Sequence, residues 1–511
     1  MFRRRSTRSH RSWPQRLLIA TNVLLVIACL GSAAALTQIR STINDVPVVD
    51  IGSSLTPAAE VTEPRNFLII GTDSDEGIDE SDPITRGRDE LGELADVIMI
   101  LRVDPRDSSA RLLSIPRDSR VAVAPDWDMG RINTAISGVQ GARNLVQTIK
   151  RNFGISIDNY VEIDWKSFRD LVEVIDGVPV YFTTPARDRE TGLVVEEPGC
   201  VVLDEVQALA YARSRHYEYR VDGEWEKDTS SDHGRIARQQ DFIKRALRRA
   251  SDKGVRNPST AIGIVNAAAA AVTLDDTLDV GTILTLVQEF QDFNPNSLES
   301  QQVPTEYSPR GGVAYEEILW DAAEPMIEPF RGVEAGKPLA ADHVIVDVRG
   351  REAIEEEMEG YASQLDAAGF DAEVVQGGSL GSDTVVRYGP RGREAALLLA
   401  AQLEGTPEVE LDEDIAGYRV ELSIGSDFAG VRAEPLALDQ LPPDLVPPTT
   451  TDDDASFEGE EPSSEEATST SDVPGERVDP VTDPELGGPV VTTTSVPGVA
   501  PTDSQAAAAC R

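Results

Sequence analysis

Residues 17–36 read LLIATNVLLVIACLGSAAAL, twenty residues without a charge. A helix of about 20 apolar residues is long enough to cross the hydrocarbon core of a bilayer. Ahead of it stand Arg3, Arg4, Arg5, Arg8, Arg11 and Arg16, and basic flanks stay on the cytoplasmic side. The sequence therefore predicts a cytoplasmic basic segment (1–16), a single transmembrane helix (17–36), a linker (37–63) and an extracytoplasmic body held at the cell membrane. The small residues of GSAAAL also suit a cleaved signal peptide. The run is longer than the usual apolar core of such a peptide, which favours the uncleaved anchor. Either way soluble nucleotides are scarce where the body lies, so an ATP-driven reaction is not expected.

The 511 residues hold 89 acidic against 47 basic side chains, a formal net charge of -42. That excludes a general nucleic-acid binder, which needs basic surface to answer a phosphate backbone. It leaves room for a local basic pocket. The three cysteines, Cys29, Cys200 and Cys510, form no CxxC or Cys/His cluster, so no zinc site is expected. Cys200 and Cys510 could pair only if the far C-terminus folded back, which the composition of the tail gives no reason to expect.

Beyond the linker, short apolar strands alternate with amphipathic helices. NFLIIG (66–71), ADVIMILRVD (95–104) and SARLLSIPRD (109–118) read as strands, the last two joined by a tight turn. Val139, Ala142, Val146 and Ile149 recur at helical spacing, with Gly154 as a stop. NYVEIDW and VPVYF read as strands; KSFRDLVEVIDGV, DEVQALAYAR and GRIARQQDFIKRALRRAS read as helices. This alternation predicts an α/β class with a central sheet flanked by helices. From about residue 340 a second pattern, strand–helix–strand–strand–helix–strand, predicts a small α+β domain. After Gly430 the chain turns rich in Pro, Thr, Ser and acids, with Arg432, Arg477 and Arg511 as its basic residues, so 431–511 reads as an acidic disordered tail.

Against this acidic background, YARSRHYEYRVDGEWEKDTSSDHGRIARQQ (211–240) gathers Arg213, Arg215, Arg220, Arg235 and Arg238. Arg213 and Arg215 lie two apart, so an extended segment points both to one side. Arg235 and Gln239 lie four apart near a helix start, hence on one face. Arg117 ends a strand; Asp73 follows one; Asp96 opens another. Two carboxylates at neighbouring strand ends suit one Mg²⁺, a cation that takes oxygen ligands and phosphate. Several guanidiniums aimed at one point call for an anion, and a pyrophosphate is a natural occupant. Surface ion pairs to the plentiful acids explain any one of these arginines better than the set.

SIPRDS, INTAISG, YVEIDWKSFRDLVEVIDGV, ALAYARSRH and DHGRIARQQ, in this order and spacing, resemble the LytR-CpsA-Psr family over residues 64–335. DTVVRYGP and SIGSDFAG make 341–430 similar to the LytR C-terminal domain. The resemblance implies that family's fold, with a central mixed β-sheet flanked by helices. It also implies a membrane-anchored phosphotransferase that moves a glycopolymer from a polyprenyl-pyrophosphate carrier to a peptidoglycan sugar hydroxyl. Carried onto this sequence, Asp73 and Asp96 would hold Mg²⁺, and Arg117, Arg213, Arg215, Arg235 and Gln239 would grip the pyrophosphate. Asp96, ahead of Asp73, would take the proton of the attacking hydroxyl, with Arg117 at the reacting phosphate. His216 and His233 read as orienting or loop residues. The lipid requires an apolar tunnel, for which Val139, Leu145, Ile149, Phe168, Leu171 and Val172 are the candidates.

The chain departs from the family pattern at Leu94, where an arginine is common, and at Asp75. Arg86 or Arg88 is placed to substitute. Two rival readings stay open: a non-catalytic binder of polyprenyl-linked intermediates, and a lipid pyrophosphatase. The second domain contains no catalytic cluster and reads as a docking module for wall polymer or a partner.

Overall fold

The computed structural model describes residues 47–55, 63–74, 94–255, 268, 271–278, 280–289, 293–332, 339–341, 344–351, 354–375, 382–390, 392–413, 415, 418–442, 445, 496–502, 504–508 and 510. The expected basic segment and transmembrane helix lie outside them, as do Asp75, Arg86 and Arg88. Among the described residues no helix is long and apolar enough to cross a membrane. The chain forms two compact units: 1–338 together with 495–511, and 339–494.

The first unit is built on a mixed seven-stranded sheet. Its strands are β1 (Val48–Val49), β2 (Arg65–Thr72), β3 (Ala95–Asp104), β4 (Ser109–Ser114), β5 (Asn159–Ile163), β6 (Thr273–Asp275) and β7 (Glu299–Gln302), in the order β1-β6-β5-β2-β3-β4-β7. β2–β3 and β3–β4 pair antiparallel, as the tight turn between β3 and β4 predicts; β2 and β5 pair parallel. Successive residues of a strand face opposite sides. Leu68, Ile70, Ile98, Ile100 and Leu113 accordingly enter one core, while Phe67, Ile69, Val97, Met99 and Leu112 face the other side of the sheet.

The first face is covered by α1 (Gly141–Phe153), whose Leu145, Val146, Ile149 and Phe153 are fully buried there. Gly154 closes α1 in the left-handed region at φ 66, its N–H bonded to the Lys150 carbonyl, a conformation that favours glycine. The second face is roofed by α2 (Trp165–Val174), α3 (Glu205–Arg213) and α4 (Ser231–Ala250). Asp164 and Asp204 cap α2 and α3, accepting from Ser167 N–H and Gln207 N–H at 2.6 and 2.8 Å; each such cap stabilises its helix by about 1 kcal/mol.

Between sheet and roof lies an apolar cavity of about 430 Å³. Ile69, Met99 and Ile163 form its floor, and Phe168, Leu171 and Val172 of α2 with Phe242, Ala246 and Leu247 of α4 form its roof. Three of the six expected tunnel residues are therefore placed there. The other three are not: Val139 is fully exposed, and Leu145 and Ile149 pack on the opposite face of the sheet. Helical spacing identified a buried face of α1 but carried no information on which side of the sheet it covers.

The second unit has a five-stranded sheet in the order Asp371–Val374, Ile345–Arg349, Arg419–Ser423, Val385–Tyr388, Glu408–Leu411, with helices Glu355–Ala367 and Arg393–Gln402. The edge strand Glu408–Leu411 adds one strand to the expected order. It is four residues long, with half-buried Val409 and Glu410 between exposed Glu408 and Leu411, a span too short to stand out in sequence.

Residues 446–495 of the expected tail lie outside the described residues, but 496–502, 504–508 and 510 belong to the first unit. Val499 bridges Phe182, Thr183 N–H donates to the Gly498 carbonyl at 2.8 Å, and Ala500 N–H donates to the Tyr181 carbonyl at 2.9 Å. Val496 and Val499 are buried in one cluster with Phe182, Tyr211 and Phe242. Arg245 and Arg248 of α4 donate to the Ala500 and Thr502 carbonyls, each at 2.6 Å. Cys200 and Cys510 form a disulfide, so the chain makes the return that its composition gave no reason to expect.

Candidate active site

The site begins with an irregularity in the sheet. Gly71 pairs with Val97 and Thr72 with Ala95, which leaves Asp96 as an extra residue in β3. Strict alternation would put Asp96 on the α1 side with Ile98 and Ile100. The bulge instead places Ala95 in that core and Asp96 at the cavity beside Val97, the re-aiming that such bulges produce.

Three arginines from distant segments meet this carboxylate. Arg117, three residues beyond β4, donates through Nη1 to Asp96 Oδ1. Arg235 of α4 places Nη1 3.8 Å from the same oxygen, and Arg215, just past α3, places Nη2 at 3.9 Å. Asp232, in the first turn of α4, holds Arg215 Nε at 3.1 Å and Arg235 Nη2 at 3.0 Å. Arg117 Nε lies 3.6 Å from Asp118. Asp118 is shared with Arg131, whose Nη1 lies 3.4 Å from its Oδ1, so four guanidiniums face the three carboxylates Asp96, Asp118 and Asp232. Arg117 Nε, Arg215 Nη2 and Arg235 Nε are buried N–H groups with no hydrogen-bond acceptor in the protein, a cost that a bound anion removes.

Protonation follows from this crowding. Burial alone would raise the Asp96 carboxyl, but Arg235, Arg117 and Arg215 outweigh it and hold the group below its ordinary 3.8. Arg235 is 3% exposed. Burial, with repulsion from Arg215 and Arg117 and against the attraction of Asp232 and Asp96, pushes it down to about 10. It stays charged at neutral pH, in a place where a second anion is welcome.

The other expected site residues occupy the rim. Arg213 is the last residue of α3 rather than part of an extended segment; its Cζ lies 3.9 Å from the centroid of the Trp165 ring. Gln239 donates to the Ala212 carbonyl at 3.1 Å, tying α4 to the end of α3. Arg213, Arg235, Gln239 and Asp96 all line the cavity. Asp73 continues the ladder one step past β2. Its Oδ1 accepts from Leu94 N–H at 3.1 Å, and its own N–H donates to the Leu94 carbonyl at 3.4 Å. Of the remaining arginines in 211–240, Arg238 is fully buried on Asp228 and the Ser214 carbonyl, and Arg220 bonds the Gly223 carbonyl. His216 pairs with Glu190 at 2.8 Å and His233 with Gln302. Asp232 and Trp165 were missed. Asp232 was visible as an acid three residues before Arg235, whereas nothing in sequence marks Trp165 as a neighbour of Arg213.

Among the described residues, no group of three His, Cys, Asp or Glu side chains could hold a metal ion. A Mg²⁺ therefore fits this donor set only with phosphate and water oxygens completing its shell, which that ion commonly accepts. Within the Asp96 carboxylate, each of the three guanidiniums makes its nearest approach to Oδ1, which leaves Oδ2 as the oxygen for a cation.

A LytR_cpsA_psr family model matches residues 30–328, more than half of the chain. The chain belongs to this family. Among relatives of this LytR_cpsA_psr protein is the probable cell wall biosynthesis protein LcpB of Corynebacterium glutamicum, 31% identical over 258 residues, which cover 48% of this chain and 59% of that protein. Another is the polyisoprenyl-teichoic acid–peptidoglycan teichoic acid transferase TagU of Oceanobacillus iheyensis, 26% identical over 262 residues, 48% of this chain and 73% of that one. Among solved structures, a LytR-Csp2A-Psr enzyme from Actinomyces oris is 23% identical with a TM-score of 0.44, covering 56% of this chain and 95% of that one. The chain thus spans about six tenths of the LcpB relative's length.

Proposed function

We propose that this chain moves a glycopolymer from a polyprenyl-pyrophosphate carrier to a sugar hydroxyl of peptidoglycan. The observation that carries the reading is the meeting of Arg117, Arg215 and Arg235 on Asp96 at an apolar cavity of about 430 Å³. A charged cluster opening on a greasy pocket fits a ligand with a phosphate head and a hydrocarbon tail. The relatives' names, which pair a polyisoprenyl carrier with peptidoglycan, support the same substrate pair. The disulfide supports an extracytoplasmic location, since such bonds persist in oxidising compartments; the membrane anchor remains part of this proposal.

In this reading the prenyl chain lies in the cavity and the diphosphate among the arginines. The acceptor hydroxyl attacks the phosphorus that bears the polymer. A new P–O bond joins polymer phosphate to peptidoglycan, the bond to the bridging oxygen breaks, and prenyl monophosphate leaves. Phosphoryl transfer of this kind is chiefly positioning and charge neutralisation, which the guanidiniums provide. The hydroxyl proton passes to a carboxylate oxygen of Asp96. Three arginines keep that group anionic, so it accepts the proton late, as the new bond forms. Asp73 and Asp96 Oδ2 would hold a Mg²⁺, which would neutralise phosphate charge.

The test offers purified protein a lipid-pyrophosphate-linked polymer with and without peptidoglycan. Product that requires the wall acceptor supports transfer. Prenyl phosphate with free polymer in both cases identifies a pyrophosphatase, and binding without turnover identifies a carrier-binding protein.

A further inference from the structure

We infer that Asp188 is a positioning residue: its carboxylate holds the short segment that aims Arg215 at the phosphates of the donor. This rests on the donor proposed above. Asp188 ends the strand Ala186–Asp188 and is fully buried. It is not among the residues that line the cavity. Its Oδ2 accepts from the Ser214 hydroxyl at 2.5 Å and from His216 N–H at 2.9 Å. Its Oδ1 accepts from the N–H groups of Glu190 and Thr191 at 2.9 and 3.2 Å. One oxygen thus grips the chain on both sides of Arg215, and the other grips the turn that follows Asp188. His216 Nδ1, 2.8 Å from Glu190 Oε2, is a second link between the same two segments.

Ser214 leaves α3 in an extended conformation, φ -61 and ψ 123, where successive side chains face opposite sides. With Ser214 turned inward to Asp188, Arg215 turns outward, to Asp96 and Asp232. The Ser214 carbonyl accepts from Arg238 Nη2 at 2.6 Å, and Asp228 holds Arg238 Nη1 at 2.7 Å. Arg238, which stands outside the cluster on Asp96, thereby braces the same residue from behind. Burial alone would raise the Asp188 carboxyl, but the bonds from Ser214, His216, Glu190 and Thr191 outweigh it and hold the group below its ordinary 3.8. It is therefore an ionised acceptor, which binds its donors more strongly than a neutral one. A guanidinium that grips phosphate has to be held within about 0.5 Å of its productive place. The long Arg215 side chain meets that demand only if its main chain is fixed.

The experiment measures affinity of the full-length protein for geranylgeranyl diphosphate by calorimetry, with folding followed by circular dichroism. Asp188→Asn keeps the size of the side chain. Whichever way the amide turns, however, its NH₂ faces a main-chain N–H of one of the two segments. Asp188→Asn is expected to weaken binding by about 5- to 50-fold, and by no more than Arg215→Ala does. In an Arg215→Ala background it is expected to cost nothing further, whereas in an Arg117→Ala background it should cost its factor again. A general loss of structure would not distinguish the two backgrounds. Unchanged affinity in folded Asp188→Asn, or the same loss in the Arg215→Ala background as in wild type, overturns the inference. If Asp188→Asn does not fold, Ser214→Ala carries the comparison, with a loss of about 2- to 5-fold in wild type and none in the Arg215→Ala background. No loss in wild type, or equal losses in both, overturns it too. Wild-type protein that does not bind geranylgeranyl diphosphate overturns the proposed donor itself, and the inference falls with it.

Discussion

Arg235 reaches Asp96 in two ways: Nη2 donates to its main-chain carbonyl at 3.0 Å, and Nη1 lies 3.8 Å from its carboxylate. One side chain thus braces both the bulge in β3 and the charge that the bulge presents. Lysine has no fork with which to do both. Arg235→Lys is expected to lower transfer by about 100-fold or more, in the range of a lost transition-state donor. Arg117→Ala and Arg215→Ala should likewise abolish transfer. Calorimetric melting should show nearly unchanged Tm for Arg117→Ala and Arg215→Ala. A collapse of folding would make them structural ion pairs instead.

Asp96→Asn removes the anion around which three guanidiniums crowd. Free protein should melt lower through their mutual repulsion, and inorganic pyrophosphate should raise its Tm more than it raises that of wild type. Transfer should fall by at least about 100-fold. The folded-state pKa of Asp96 lies below its ordinary 3.8. Its contribution to stability is therefore present above that value and lost as pH falls through the lower, folded one. Melting curves taken from pH 5 downward should fall less steeply for Asp96→Asn than for wild type.

Ala246 lines the cavity from α4. Ala246→Trp should fill that space, leaving binding of inorganic pyrophosphate intact while reducing affinity for a long-chain prenyl diphosphate by more than about 10-fold, the worth of a few buried methylenes. Equal binding of the lipid by both proteins would remove the cavity from the proposal.

The pairing of Cys200 with Cys510 closes a sequence separation of 310 residues. Replacing both with serine should destabilise the first unit by about 2–4 kcal/mol, seen as a lower melting transition of that unit. The apolar contacts of Val496 and Val499 should keep part of the strap in place.

Part of the site was legible: Asp96 and Arg117 stand beside apolar strand ends, Arg215 and Arg235 in an arginine-rich stretch of an acidic chain, and the resemblance to the LytR-CpsA-Psr family singled the four out together. The convergence on Asp96 was not legible. It depends on a register shift between β2 and β3, a property of two strands together and of neither alone. The same limit hid the stacking of Arg213 on Trp165, the side of the sheet that Leu145 and Ile149 cover, and the docking of Val499 on Phe182. In each case the deciding partner lies far away along the chain, where local periodicity is silent.

The strap also imposes an order on synthesis. Every residue of the second unit must be made before Cys510 can reach Cys200. A ribosome that stops early would release a first unit with the Thr183 N–H and the Tyr181 carbonyl lacking their partners from the tail and the carbonyl partners of Arg245 and Arg248 missing. A first unit sealed by residues that follow the second unit is one whose completion reports that the second unit has been made.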